Sequence, residues 1–381
     1  MPDRSSPFDL AVIGAGVIGL SAAWRAAQRG LRVVVLERDQ PGAGATHVAA
    51  GMLAPVSEAL ATEQPLLALG LASAQRYPGF VSELEEASGC ATGYLACGTL
   101  LVARDRDEAE ALGREQALRE RLGLSVARRL ASEARRLEPA LAPTLRLALE
   151  IPDDHAIDPR LLAAALARAL DRAGGQLRTG AAASALTMRA GRVTGVRLHN
   201  GETIAAGNVL IASGAWTVDG IDEPARIPLR PVKGQIMRLH DPAGPGLLTR
   251  VVRMRAGYIV PRGDGRYVLG ATMEERGFDT SVTGGAVYEL LRDAIELVPG
   301  VTELVIDELR AGLRPAAPDN VPVIGPGALD GLHWAVGHYR HGILLAPITA
   351  DAIADALTGA APDAMLAACA PERFAPAGVP V

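Results

Sequence analysis

The sequence predicts an α/β protein of two domains, one Rossmann-like and one that contains antiparallel strands. Its 381 residues are enough for about two domains of roughly 150 residues each. Near the start, a glycine-rich turn joins a buried strand to a helix. Much later, the strand-like stretches "GYIVPR" and "RYVLGAT" flank the turn "GDG", which indicates a β-hairpin.

Composition argues against several classes of protein. The chain is 49% hydrophobic with a net charge of −5, which favours a globular core over a general nucleic-acid or anionic-membrane binder. The uncharged run from Leu10 to Trp24 is shorter than the ~20 residues that span a bilayer, so we expect no stable membrane insertion. Cys90, Cys97 and Cys369 lack metal-ligand or disulfide spacing, and a reducing cytoplasm is the simplest location.

The first element is a strand–turn–helix motif. "LAVIG" predicts a buried strand, "GAGVIG" places Gly14, Gly16 and Gly19 in G-x-G-x-x-G spacing, and a helix follows up to Gly30. In this motif the first glycine makes the tight turn and the second lets a pyrophosphate approach the backbone. The third lets helix and strand pack closely. The spacing therefore predicts a dinucleotide site, with a glycine-rich packing turn of another α/β fold as the alternative.

A second buried strand, "RVVVLE", ends in Glu37. Its carboxylate lies at the distance expected for accepting from the adenosine ribose hydroxyls. An acid at this position favours an unphosphorylated ribose, so the motif predicts FAD or NAD and does not choose between them.

Three later segments predict helices. "IDPRLLAAALARALDRAGG" has Asp158 as a capping residue and Pro159 at the first helical position. "DRDEAEALGREQALRERLGL" predicts a charged helix whose charges form a solvated face. "ILLAPITADAIADAL" follows the basic cluster "GHYRHG", and a helix N-terminus at that cluster would suit an electron-rich group.

The chain resembles the D-amino-acid oxidase family of FAD-dependent amine oxidoreductases, and within it the glycine oxidase branch of the thiamine pathway. The resemblance spans nearly the whole chain, and the most specific stretches are "AAGML", "GYIVPR" with "LGATM", "AGLRP", and "GHYRHGILLAP" followed by Thr349. It implies an FAD-binding Rossmann-like domain interleaved with an α+β substrate domain built on an antiparallel sheet. The expected boundaries are 1–85, 145–225 and 310–381 for the first domain, and 86–144 and 226–309 for the second.

The resemblance also implies the chemistry. Hydride would pass from the α-carbon of glycine, sarcosine or a small D-amino acid to flavin N5 and leave an imine. The imine would hydrolyse to the 2-oxo acid and ammonia or feed thiazole synthesis for thiamine, and dioxygen would reoxidise the flavin to give hydrogen peroxide. It further implies a homo-oligomer, a tetramer, with one noncovalent FAD per chain.

The cofactor residues follow from the same resemblance. The segment from His338 to Leu344 would face the pyrimidine end of the flavin ring, where its backbone N–H groups and the helix dipole stabilise negative charge on reduction. The full set implied is Gly14, Gly16, Val17, Ile18, Gly19, Glu37, Arg38, Ala45, Thr46, Ala50, Gly51, Met52, Ala183, His338, Tyr339, Arg340, His341, Gly342, Ile343 and Leu344.

His47 is a departure from the glycine oxidase pattern, which has a small hydroxylated residue there. Some related dehydrogenases attach FAD through a histidine of this loop, but the matching register here is Val48. "GLRPAAPDN" contains no cysteine for the alternative cysteinyl link. We therefore expect noncovalent FAD, and His338 and His341 lack the partners that a metal site would need.

Three residues are the strongest candidates for the substrate site: Tyr258, Arg314 and Arg340. A guanidinium offers a carboxylate a bidentate fork, and a phenol adds one directed hydrogen bond. By resemblance, Arg314 and Tyr258 bind the substrate carboxylate from neighbouring strands, Arg340 lies near flavin and substrate, and Met273 and Met52 line the pocket. Taken singly, each of these residue types is more often structural.

Two other functions fit the same fold. One is a D-amino-acid or sarcosine dehydrogenase that passes electrons to a quinone or dye. The other is a flavin-binding module without turnover, against which the joint presence of Tyr258, Arg314 and Arg340 argues. Lys233, the single lysine of the chain, is expected on a substrate-domain strand without an oxygen-activating role.

Overall fold

Two large sheets carry most of the regular structure of this computed structural model, which describes residues 7–60, 62–218, 227–255, 257–361 and 363–374. In chain order the strands are β1 (Phe8–Ile13), β2 (Val33–Leu36), β3 (Met52–Leu53), β4 (Thr99–Ala103), β5 (Ala127–Leu130), β6 (Leu147–Ile151), β7 (His155–Ala156), β8 (Gln176–Arg178), β9 (Ala183–Arg189), β10 (Arg192–Leu198), β11 (Thr203–Ile211), β12 (Arg230–His240), β13 (Val251–Met254), β14 (Gly257–Pro261), β15 (Arg266–Gly270), β16 (Val305–Ala316), β17 (Val323–Pro326) and β18 (Leu332–Val336).

The helices cover the sheets and lie between them. They are α1 (Val17–Gln28), α2 (Ala45–Val48), α3 (Gln64–Ser88), α4 (Arg106–Arg121), α5 (Ala131–Leu137), α6 (Pro159–Arg172), α7 (Gly284–Leu297) and α8 (Ala346–Leu357). Short 3₁₀ segments lie at Gly214–Val218, Pro299–Glu303, Ala364–Cys369 and Pro371–Phe374. Among the described residues, none of the helices is both long and apolar enough to cross a membrane.

The first sheet has the order β17-β18-β11-β1-β2-β8, and its β11, β1, β2 and β8 pair in parallel. Leu10 and Val12 of β1 pack on one face with α1, α3, α6 and α8, whereas Ala11 and Ile13 pack on the other face beside β10. Burial on both faces explains why β1 and β2 read as continuous apolar runs rather than alternating ones. This sheet confirms the Rossmann-like prediction.

The second sheet has the order β16-β12-β15-β14-β13-β4-β6-β5 and is mainly antiparallel. The predicted hairpin is confirmed, because β14 and β15 pair antiparallel around Gly263–Gly265. One face packs Met237, Leu269 and Ile259 against α7. The opposite face turns toward the first sheet, and a large cavity lies there.

The strands of the second sheet extend past the domain boundaries expected from the sequence. β6 and β16 hydrogen-bond within this sheet, although 145–225 and 310–381 were assigned to the first domain. A strand belongs with the sheet to which it hydrogen-bonds. We therefore propose that the chain passes to the first domain after Ile151 and after Ala316.

Two helix starts test the capping predictions. Asp158 caps α6, since its carboxylate accepts from Arg160 N at 2.9 Å, as predicted. The C-terminal helix, however, begins at Ala346 rather than at Ile343, and a turn covers 342–345. Pro347 explains the difference, because proline is best tolerated in the first turn of a helix, which is where Pro347 lies.

The charged helix α4 is only partly a solvated face, so that prediction was wrong for two residues. Glu108 is buried, and Arg119 is 2% exposed. The guanidinium of Arg119 donates to the carbonyl oxygens of Val56 (2.9 Å) and Ser57 (2.8 Å). A buried guanidinium is tolerated because carbonyl oxygens satisfy its donors. Arg119 therefore holds the segment after β3 against α4.

Candidate active site

A cavity of about 1800 Å³ lies between the two sheets and is lined by residues of both. The first sheet contributes the turn after β1 and the end of β2. The second contributes the face that carries Arg253, Tyr258 and Arg314. Loop 43–52 forms part of the wall between them. The cavity exceeds the 300–1,000 Å³ typical of small-molecule sites, so it has room for an extended cofactor and a small substrate together.

The glycine-rich turn has the geometry that its spacing predicts. Gly14 has φ of +104°, which favours glycine, and a Cβ there would lie 2.7 Å from Ala212 O. α1 begins at Val17 with no acidic residue in its first turn, and Gly16, Val17 and Ile18 at its start line the cavity. A Cβ at Gly19 would lie 3.3 Å from the Cβ of Ala212, which shows how closely helix and strand approach.

Two side chains complete this end of the cavity. The carboxylate of Glu37 accepts from Ala15 N at 2.8 Å and from Asp39 N at 2.9 Å, so backbone amides fix its orientation. Thr46 Oγ1 accepts from Val17 N at 3.0 Å and ties loop 43–52 to the start of α1. A carboxylate has about four acceptor positions, so Glu37 retains capacity toward a ligand hydroxyl.

The segment at 338–344 is held from behind by α3. Tyr77 Oη donates to Ile343 O at 2.7 Å, and Ser73 Oγ donates to Leu344 O at 2.6 Å. Since the C=O and the N–H of one peptide unit point in opposite directions, a carbonyl fixed toward α3 turns the N–H of Leu344 away from it. Tyr77 and Ser73 were not identified from the sequence, because nothing in their local pattern indicates this contact.

Two amides of that segment are already used inside the protein. Tyr339 N donates to Pro315 O at 2.8 Å, and His341 N donates to His338 O at 2.9 Å. The N–H groups of Tyr339 and His341 are therefore not available to a flavin. Of the N–H groups expected to face it, the other amides of the segment remain.

Most side chains of the predicted site line the cavity, but three do not. Gly19 lies in the α1–strand contact. His341 and Leu344 lie behind the wall, where the Leu344 side chain approaches Gly70 of α3. The other predicted residues line the cavity: Gly14, Gly16, Val17, Ile18, Glu37, Arg38, Ala45, Thr46, Ala50, Gly51, Met52, Ala183, Tyr258, Met273, Arg314, His338, Tyr339, Arg340, Gly342 and Ile343.

Tyr258 and Arg314 are not on neighbouring strands, so that prediction was wrong. Tyr258 lies on β14 and Arg314 on β16, with β15 and β12 between them. Arg314 Nη1 donates to Thr272 O at 3.1 Å and to Lys233 O at 3.3 Å, which places the guanidinium across β12. The Tyr258 side chain also lies flat on this face of the sheet. The two side chains therefore meet over the strands that separate them.

The phenol of Tyr258 keeps its proton at neutral pH. Burial raises the pKa of Tyr258, and the Arg314 guanidinium opposes this only in part. Among the described residues, no carboxylate forms an ion pair with Arg314. A protonated phenol beside an unpaired guanidinium is a donor pair that suits an anion.

Arg340 differs from Arg314, because two carboxylates already lie beside it. Its Nη2 donates to Glu63 at 2.8 Å, and its Nε lies 3.7 Å from Glu58. Burial works to raise the pKa of Glu58, but the guanidinium groups of Arg253, Arg340 and Arg314 outweigh it and hold that pKa below its ordinary value. Glu58 is therefore ionised at neutral pH, and it was not identified from the sequence.

The histidines of the segment are neutral. Burial lowers the pKa of His338 to about 3, and the ring accepts or donates at Thr349 Oγ1 (3.0 Å). Burial likewise lowers the pKa of His341 to about 4 despite the nearby Glu58 carboxylate. Neither imidazole therefore adds positive charge to the site near neutral pH.

The remaining candidates have distinct positions. Met273 lines the cavity but is 64% exposed, and its Sδ accepts from Tyr339 Oη at 3.2 Å. Lys233 lies on the opposite face of β12, where Nζ donates to Asp279 at 2.6 Å. His47 lies 3.7 Å from Glu308, and Val48 packs on β16 at Gly312.

Trp216 is a further cavity residue whose role the sequence did not indicate. The guanidinium of Arg38 stacks over its ring at 4.3 Å, and Phe278 lies 6.4 Å from it. Phe278 belongs to the loop between β15 and α7, so the stack links this loop of the second domain to the end of β2.

Comparison with known proteins gives consistent matches. The profile of the family described as "FAD dependent oxidoreductase" matches residues 9–356. The bifunctional protein ThiO/ThiG of Synechocystis sp. is 37% identical over 371 residues, which cover 96% of this chain and 54% of that protein. The chain thus spans about half the length of such bifunctional relatives.

Matches of similar length also exist. The glycine oxidase of Geobacillus kaustophilus is 36% identical over 351 residues, covering 91% of this chain and 92% of that protein. A crystal structure of glycine oxidase from Geobacillus kaustophilus superimposes with a TM-score of 0.88 at 34% identity. It covers 96% of this chain and 98% of that one.

Proposed function

This chain belongs to the family of FAD dependent oxidoreductases, and from that premise we propose that it oxidises glycine and other small amines such as sarcosine and small D-amino acids. The electron acceptor in this proposal is dioxygen, which gives hydrogen peroxide. One observation carries the proposal: the unpaired guanidinium of Arg314 lies beside the protonated phenol of Tyr258 in the cavity next to the dinucleotide fold.

The residues present fit FAD. The open N-terminus of α1, the turn at Gly14 and Gly16, and Glu37 suit its pyrophosphate and adenosine ribose. Loop 43–52 and the 338–344 segment suit its ring system, and we propose that the other cofactor residues predicted from the sequence bind there as well. When bound noncovalently, the flavin supplies the acceptor for the substrate hydride and the reaction with dioxygen.

The charges around the cavity favour a substrate with one carboxylate. Arg253 and Arg340 form ion pairs with Glu58 and Glu63, whereas Arg314 forms none among the described residues. The positive charge of Arg314 is therefore available to a ligand. A monocarboxylate would neutralise it, whereas an uncharged amine would leave a guanidinium uncompensated in the cavity.

The chain contributes alignment rather than a nucleophile. Arg314 and Tyr258 would hold the substrate carboxylate, which fixes the α-carbon relative to the flavin ring. Met52 and Met273 would cover the reacting carbon from the side and limit access of water. Removal of the extra proton from the substrate ammonium precedes the hydride step, and the ionised Glu58 is an anionic group of the same cavity.

The proposal includes a place in metabolism. An imine formed from glycine would supply the synthesis of a thiazole ring, consistent with the joint name of the ThiO/ThiG relatives. A cytoplasmic location and a homotetramer remain part of the proposal by family resemblance.

Peroxide production tests this function. The purified yellow protein would be supplied in air with glycine, sarcosine, D-alanine, D-proline and D-phenylalanine, and peroxide would be followed. We expect turnover with the small substrates and a much lower kcat/KM for D-phenylalanine. Flavin bleaching without peroxide, but with reduction of an added quinone, would instead indicate a dehydrogenase. A clear preference for D-phenylalanine would contradict the assignment to small amines.

A further inference from the structure

The cavity face of the second sheet lacks side chains at three central positions. Gly234 on β12 lies opposite Gly312 on β16, and Gly270 on β15 lies opposite Ile236 of β12 and Tyr258 of β14. Each missing side chain is replaced by another group. At Gly312 that group is Val48 of α2, since a Cβ there would lie 2.8 Å from the Val48 Cβ.

At Gly234 the space is filled by the guanidinium of Arg314. A Cβ at this position would lie 2.6 Å from Arg314 Cζ, which is closer than real Cβ contacts come. Arg314 itself is opposite Val232, and its side chain runs along the sheet to donate to Thr272 O at the end of β15. Any side chain at 234 would push the guanidinium off this path.

At Gly270 the space is filled by the phenol of Tyr258. A Cβ there would lie 2.9 Å from both Oη and Cε2 of Tyr258, and 2.8 Å from Cγ2 of Ile236 on the neighbouring strand. The ring therefore lies across β15, in the direction of β12, instead of standing upright from the sheet. This is how Tyr258 and Arg314 meet although two strands separate them.

A left-handed backbone does not explain glycine at these positions, since neither Gly234 nor Gly270 has φ in that region and both lie in strands. Glycine inside a strand is unfavourable, because it loses more conformational entropy on folding and offers no side chain to pack. Glycine at these two positions is therefore explained by the space that it leaves above the sheet.

We propose that Gly234 and Gly270 are positioning residues for substrate recognition, because their missing side chains leave the space in which Arg314 and Tyr258 lie flat and converge on one carboxylate. This inference rests on the proposed function, in which these two side chains bind the substrate carboxylate. In this inference, the distance between the Arg314 guanidinium and the Tyr258 phenol is set by the space above the two glycines and not by the pairing of the strands.

Equilibrium binding of acetate to the FAD-bound protein tests the inference, with the flavin absorbance change as the readout. Gly234→Ala should weaken acetate binding by roughly 10- to 100-fold, and KM for glycine should rise with it, while flavin content and far-UV circular dichroism stay unchanged. Gly207→Ala on β11 is the matched control, because a Cβ there meets Asp9 O at 3.6 Å and Phe8 O at 3.9 Å, which are ordinary van der Waals distances. It should leave acetate binding unchanged.

A double-mutant cycle separates positioning from general damage to the sheet. In an Arg314→Ala background, Gly234→Ala should cause no further loss of acetate binding, because the group it displaces is gone. Losses that multiply would show that Gly234 acts independently of Arg314 and would overturn the inference. If Gly234→Ala does not fold, Gly270→Ala with Tyr258→Ala provides the corresponding cycle, because Tyr258→Ala removes the ring that a Cβ at 270 would displace.

The outcomes for the inference and for the proposed function are distinct. If the wild-type protein binds acetate but oxidises none of the amines, the proposed function is wrong. The double-mutant cycle would still show whether the glycines position the carboxylate-binding side chains. Normal acetate binding by both glycine variants would remove the inference and leave the function intact. Wild type that binds neither acetate nor glycolate would contradict both.

Discussion

Arg340 donates to Glu63 at 2.8 Å, whereas Arg314 donates to the carbonyl oxygens of Thr272 and Lys233 and has no ion-pair partner in the part of the chain that the structure describes. The two guanidinium groups therefore differ in charge balance although both line the cavity. Arg340 already forms ion pairs within the protein. We therefore propose Arg314, rather than Arg340, as the partner of a substrate carboxylate.

Arg314→Ala should lower kcat/KM for glycine by roughly two to four decades. Removing one partner of a buried charge pair costs ~3–5 kcal/mol, and each decade corresponds to about 1.4 kcal/mol. Arg314→Lys should recover only part of the loss, because an ammonium cannot form the bidentate fork. Steady-state kinetics should show this loss of kcat/KM, inhibition by acetate should weaken in parallel, and FAD should remain bound.

Arg106→Ala is the control for that loss, since this exposed guanidinium on α4 pairs only with Glu110 in an i,i+4 ion pair. Its kinetics should match those of wild type. Near-normal kinetics and acetate affinity in folded, yellow Arg314→Ala would show that Arg314 is structural and that the carboxylate binds elsewhere.

Glu58→Gln should destabilise the protein at neutral pH by roughly 1–3 kcal/mol, because Arg253 and Arg340 lose an ionised partner. The pKa of Glu58 is lowered on folding, so its stabilisation is present above the ordinary value of 4.5 and is lost as pH falls through the folded-state pKa. Chemical denaturation should therefore show a gap between wild type and variant that narrows below pH 4.5.

The exposed carboxylate of Glu110 offers a control for Glu58, and Glu110→Gln should change stability little at any pH. If the gap for Glu58→Gln stayed constant down to about pH 3, the stabilisation would not depend on the charge of Glu58.

Tyr77→Phe should leave Ile343 O without its donor and cost roughly 1–3 kcal/mol of unfolding free energy. Because this carbonyl fixes the orientation of the next amide, the flavin reduction potential should also shift. Tyr288→Phe, which removes the hydroxyl of a 65% exposed ring, should change neither quantity. An unchanged potential in a destabilised Tyr77→Phe protein would restrict Tyr77 to a role in stability.

Acid precipitation should release the yellow colour of the holoprotein into the supernatant, because we expect noncovalent FAD. Colour retained in the pellet would indicate a covalent bond. In that case His47→Ala would be the first variant to examine, and loss of the pellet colour would identify the attachment point.

Features that depend on residues close together in the chain could be predicted from the sequence. The spacing of Gly14, Gly16 and Gly19 fixes a turn, because the required contacts are all within one strand–turn–helix unit. Asp158 and Pro159 fix a helix start in the same local way. The types and spacing of a few consecutive residues are sufficient for such predictions.

Tertiary structure alone decided which side chains meet in the cavity. Arg340 pairs with Glu63 across 277 positions of the chain, and Tyr77 reaches Ile343 across 266. Tyr258 and Arg314 meet across two intervening strands because Gly270 and Gly234 leave room above the sheet. Local periodicity contains no information about such contacts, since they depend on how separate elements pack and on which positions lack a side chain.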